Sequence, residues 1–266
     1  MKCTLLIALA CASCTPVIRL QTNKPGAQIT GSEFYKQAAS FNWQQRDSFA
    51  VKVILDGNVP RFLKRLIPVH TETKTGDSKI IKGTYYVTPD YLGIGTNRDW
   101  ARIPLTPMAA QKIADSMNCF LPTRKMADEV YARARVKLEP VPMYAFRDST
   151  ATFYQHHVII EGQRKGRTGL IAGVKKDVVI SGKVSRDPKQ NRVAIYGWHK
   201  PDGTAIQKLY TGHINWYVDY SHGIRLVYQK IKVAGKWMNY TQVLNDPVLK
   251  KLLCDEEHCD FHRYAY

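Results

Sequence analysis

The chain has 266 residues, enough to bury a core as one large or two small domains. Hydrophobic content of 44% and charged content of 23% are ordinary for a globular protein and exclude a disordered or fibrous chain. With 39 Lys and Arg against 22 Asp and Glu the formal net charge is +17, so an anionic partner is expected: nucleic acid, a membrane or a cell-envelope polymer.

The first residues narrow that choice. Met1-Lys2 precedes an apolar run from Cys3 to Cys14 that is too short to span a bilayer. One positive charge, an apolar stretch and small residues before a cysteine resemble a bacterial lipoprotein signal, with lipid on Cys14 or, as the alternative junction, on Cys11. The expected division is a signal over 1–14, a tether over 15–28 and a single α+β domain over 29–266, with a sub-boundary near 100. Such a protein is exported and anchored facing the periplasm or cell exterior. That removes nucleic acid as a partner and leaves the membrane and an envelope or cell-wall polymer.

Along the chain, 32–40 reads as a helix and 48–55 as a strand ending in the turn Asp56-Gly57-Asn58. Short strands follow at 85–87 and 91–94. Thr106-Pro107 opens a helix to about 117, because Thr caps well and Pro suits the first helical position. Further helices are expected over 122–134 and 150–162. Strands then run at 169–174, 177–181, 192–198, 216–228 and 231–233. The pattern is α+β, with early helices packed on a mainly antiparallel C-terminal sheet. The two central helices invite a helix-turn-helix reading with Arg124, Lys125 and Arg133 on DNA. Export and the lack of glycine in the turn argue against it.

The densest chemistry lies between Tyr196 and Gly223, where His199, His213, His222 and Asp219 sit among Trp198, Trp216, Tyr217 and Tyr220. Imidazole carries protons or binds metal near neutral pH. Strict alternation puts His199 on the face of Val193 and Ile195, and His222 on the apolar face of one long strand. On that strand Asp219 and Arg225 share the opposite face and could pair. An Asp219–His222 pair would need a bulge at Ser221-His222-Gly223.

Cys119 is the thiol left over if Cys254 and Cys259 pair in an oxidising compartment. The tail could instead hold zinc through Cys254, His258, Cys259 and His262, although this spacing matches no common zinc module.

Several blocks, above all Tyr196-Gly197-Trp198-His199 and Tyr217-Val218-Asp219-Tyr220-Ser221-His222-Gly223, resemble an uncharacterised family of exported bacterial (lipo)proteins, which implies an envelope location and no activity. A weaker likeness is to NlpC-type, papain-like cell-wall cysteine peptidases. It rests on the order of Cys119 before a helix, then a histidine-bearing strand, then a strand with a polar orienting residue.

Three functions follow. A hydrolase of peptidoglycan or a related amide would use Cys119 as nucleophile, His222 as base with His199 in reserve, and Asp219 as orienter. A metal-dependent hydrolase would hold zinc with the three histidines and Asp219. A non-catalytic binder of envelope polysaccharide would stack sugars on Trp198, Trp216, Tyr217 and Tyr220, with His213 and Arg225 contributing polar contacts. The first reading needs no cofactor.

Overall fold

The computed structural model describes residues 17–23 and 26–266. The cysteines at 3, 11 and 14 and the start of the tether lie outside the described residues.

Among the described residues, seven α-helices and fourteen strands form an α+β fold with mainly antiparallel sheets. In chain order they are α1 (Gly31–Gln37), α2 (Trp43–Leu55), β1 (Ile67–Lys74), β2 (Ile80–Val87), β3 (Gly93–Gly95), β4 (Trp100–Arg102), α3 (Pro107–Ser116), β5 (Cys119–Phe120), α4 (Arg124–Arg133) and β6 (Val136–Lys137). The second half carries α5 (Thr150–Arg164), β7 (Ile171–Ala172), β8 (Lys176–Val179), α6 (Gly182–Ser185), β9 (Arg192–His199), β10 (Ala205–Ile214), β11 (His222–Gly223), β12 (Val227–Tyr228), β13 (Lys230–Val233), β14 (Lys236–Asn239) and α7 (Tyr240–Asn245).

Two sheets dominate. The six-stranded sheet runs β14-β13-β2-β12-β5, with β1 also paired to β2, so it draws strands from both halves of the chain. The four-stranded sheet runs β10-β9-β8-β11, antiparallel except for the β8–β11 pair. A continuous core extends from Leu20 to Tyr264 and packs the helices against both sheets.

Helix starts follow the local chemistry. Thr106 caps α3 by accepting from the Ala109 N–H, with Pro107 at the first position, and Thr123 caps α4 by accepting from Met126. The segment 48–55, expected as a strand, belongs to α2. Asn42 and Gln45 form a capping box seven residues before Phe49, and the burial of Ala50, Val53 and Ile54 follows the helical period. Strands β1 and β10 went unrecognised because one face of each is polar or exposed.

The stretch 216–228 is not one strand. Only His222–Gly223 and Val227–Tyr228 join sheets, and the two dipeptides join different ones. Cys254 and Cys259 form a disulfide, which leaves the tail no thiolate to offer zinc.

Candidate functional site

The break in the expected strand creates the site. At Tyr217–Ser221 the backbone turns, and the His222 N–H donates to the Asp219 carbonyl at 3.1 Å. Asp219 folds back on its own loop, where Oδ1 accepts from the Ser221 N–H at 2.8 Å and from the Ser221 hydroxyl at 2.5 Å. Its Oδ2 accepts from Arg147 at 2.7 Å. His222 Nε2 stands 4.0 Å from Asp219 Oδ1, too far for a hydrogen bond, and this buried nitrogen has no partner among the described residues.

Four further groups surround this pair. The His213 ring lies 5.9 Å from His222 and 4.8 Å from Tyr217, and Tyr217 lies 6.2 Å from His222. His213 and Tyr217 are only partly buried, so they form the outer layer over a buried His222. On the sheet, His222 pairs with Lys176 across β11–β8, and the Lys176 ammonium sits 5.2 Å over the Trp198 ring. Trp198 is buried and its indole N–H also lacks an acceptor.

Burial sets the protonation of the cluster. It pushes His222 down to about 3, so the imidazole is neutral at neutral pH, and it lowers His213 and Lys176 as well. Burial works against ionised Asp219, but the neighbouring His222 and Lys176 and the Ser221 hydrogen bonds outweigh it and hold the carboxyl below its usual range. Arg147 pairs with the same carboxylate at 2.7 Å. Behind the loop, buried Lys175 donates to the Tyr220 carbonyl and meets His156 Nδ1 at 3.0 Å. Burial, reinforced by Arg102, brings this lysine down to about 7.

His199 belongs elsewhere. Successive left-handed residues, Gly197 at φ 106° and Trp198 at φ 58°, break the alternation at the end of β9. Trp198 turns to Lys176, whereas His199 Nε2 meets Asp128 Oδ1 at 2.8 Å and stacks on Tyr131 at 4.4 Å. The Tyr196 hydroxyl donates to the same carboxylate.

Cys119 is not in either cluster. It lies fully buried on β5 in the other sheet, paired with Tyr228, and its thiol donates to the Met117 carbonyl at 3.4 Å. Burial pushes the thiol pKa up rather than down. Helix α4 begins five residues later at Arg124, so no helix N-terminus activates the sulfur. The expected nucleophile is therefore a small core residue.

The remaining expected residues divide. Arg225 does not pair with Asp219: it is buried, donates to the carbonyls of Thr88 and Ile171, and lies 3.7 Å from Asp177. Tyr220 is buried, with its hydroxyl accepting from the Met143 N–H and its ring under Arg147, so it offers no stacking surface. Trp216 is exposed beside the cluster. Gly223 is glycine because a Cβ there would sit 2.5 Å from Tyr91 and 2.6 Å from Lys175.

A metal centre does not fit this arrangement. Both Asp219 oxygens are engaged, His199 is absent from the group, and among the described residues no three ligating side chains converge as a metal ion requires. Arg147 and Lys176 were missed in the sequence. Lys176 left one signal, a Lys-Lys-Asp run entering the apolar strand at Val178; Arg147, in a loop before α5, left none.

No protein-family model, curated protein or solved structure matches the chain. Among the described residues, no helix is long and apolar enough to cross a membrane.

Proposed function

We propose that the chain is an envelope lipoprotein that hydrolyses an anionic, sugar-containing wall polymer by acid–base chemistry at His213, His222 and Asp219. The observation that carries this reading is the neutral, buried His222 with a free Nε2, set against an ionised Asp219 fixed by Arg147 and Ser221. His222 Nε2 stands 4.0 Å from Asp219 Oδ1 with no hydrogen bond between them, so this nitrogen stays open to take a proton. Protonated His222 would then be stabilised by Asp219, while His213 meets the substrate from the outer layer. Arg147, partly exposed, supplies positive charge for the polymer's anionic groups. Cys119 takes no part.

The test is release of soluble fragments from purified peptidoglycan. His222→Leu and Asp219→Asn should each abolish release while the proteins stay folded. Wild-type protein that releases no fragments, or a His222→Leu variant that retains full release, defeats the proposal.

A second reading has its own support. Tyr210, 5.3 Å from His213, and Trp216, next to Tyr217 in the chain, are exposed and offer flat faces to sugars. A polymer retained but left uncut, with retention lost in Trp216→Ala, would favour a non-catalytic binder.

A further inference from the structure

A cavity of ≈ 630 Å³ lies away from the histidine cluster, where the N-terminal segment meets β1 and the end of α5. Arg19 forms a bridge with Arg65, and the Leu20 N–H donates to the Lys64 carbonyl, so the segment is fixed against the body. Four guanidiniums, from Arg19, Arg61, Arg65 and Arg164, line the cavity with no acidic residue among its walls. Arg164 is satisfied: it pairs with Glu161 at 2.7 Å and lies over Phe62 and Trp100. Arg61 and Arg65 are exposed and make no ion pair among the described residues. The floor is apolar, from Phe62, Leu66, Pro68 and Ile171. Arg61 also lines a neighbouring cavity of ≈ 510 Å³ that holds Lys64 and Arg98, which extends the positive face.

We infer that this cavity docks the protein on an anionic lipid surface, taking a phosphate-bearing headgroup among Arg19, Arg61 and Arg65. The inference rests on the reading of Cys14 as the lipid-bearing residue. Val17, at the mouth, is three residues beyond Cys14, and three residues reach at most about 10 Å. An anchor there holds the arginine face against the bilayer. Guanidinium pairs phosphate oxygens bidentately, and the apolar floor suits the glycerol and first acyl carbons. A lipid chain and a basic patch together give stable anchoring where one chain alone is marginal.

The experiment uses the full chain carrying Cys11→Ser and Cys14→Ser, so that no attached lipid contributes. It is sedimented with vesicles of phosphatidylglycerol mixed with phosphatidylcholine, or with phosphatidylcholine alone. Adding Arg61→Glu and Arg65→Glu should weaken partitioning onto the anionic vesicles by at least about tenfold and leave the neutral vesicles unaffected. Lys189→Glu with Lys208→Glu makes the same charge change at other exposed sites and should alter partitioning by less than about twofold. Equal losses in the two pairs would overturn the inference in favour of bulk charge. Glycerol phosphate bound as tightly as the vesicles would overturn it in favour of a soluble anion. Palmitate labelling of the unmutated chain reports separately on Cys14. Labelling with no arginine effect defeats the cavity alone, and an arginine effect without labelling defeats only the anchor.

Discussion

Two clusters among the described residues combine histidine, arginine and a buried carboxylate, and they differ in how completely their atoms are paired. Around Arg102, the guanidinium donates to both oxygens of Asp90 and to Glu161, and the His157 ring nitrogen closes the set at 3.3 Å. Around Asp219, the carboxylate is equally well held, yet His222 Nε2 and Trp198 Nε1 are left without partners. A saturated network rigidifies, whereas an unsaturated one keeps hydrogen-bonding capacity for something absent. The first cluster is structural by this criterion, and the second is the place where a ligand gains most.

The comparison is broken most forcefully at Arg102. Arg102→Ala should destabilise the protein by about 3–5 kcal/mol in urea denaturation, because it strands the buried Asp90 carboxylate. A loss below about 1 kcal/mol would mean that the network is not structural.

Acid sharpens the comparison next. His156 and His157 are pushed down to about 2 and His222 to about 3, chiefly by burial, so the unfolded chain binds protons that the folded chain refuses. Stability should therefore fall as pH drops from about 6.5 towards 3, by about 2 kcal/mol per histidine at pH 5. His157→Phe and His222→Leu should each flatten that slope when melting is followed against pH.

Reduction of the Cys254–Cys259 bridge opens a short loop, returns its entropy to the unfolded chain and should cost about 2 kcal/mol, read from chemical denaturation with and without reductant. It should leave the histidine cluster working, because the bridge packs with Thr123 and Ile180 instead.

Much of this was legible in the sequence, for identifiable reasons. The α+β class, the cap at Thr106 and the 254–259 pairing follow from local rules about turns, caps and cysteine spacing. Of His199, His213, Asp219 and His222, expected together, the last three share one cluster, made by a turn rather than a bulge, and His199 lies with Asp128. The partners were not foreseen. Arg147 arrives from 72 residues away, and Asp128 reaches His199 across 71, distances over which periodicity says nothing. Cys119 misled because a lone thiol before a helix reads the same whether it faces solvent or lies in a sheet. Trp198 and His199 exchanged faces because two left-handed residues reset the alternation, and only the glycine hinted at it.

The smallest energetic effect carries the most weight. His222→Leu removes a buried nitrogen with no partner, so stability should hold or rise by up to about 1 kcal/mol. Cys119→Ala should cost about 1 kcal/mol as an ordinary core truncation. Fragment release from purified peptidoglycan, measured side by side for these two variants, is the most direct test. The proposed function predicts full release by Cys119→Ala and none by the more stable His222→Leu. Loss in Cys119→Ala with release intact in His222→Leu would contradict it.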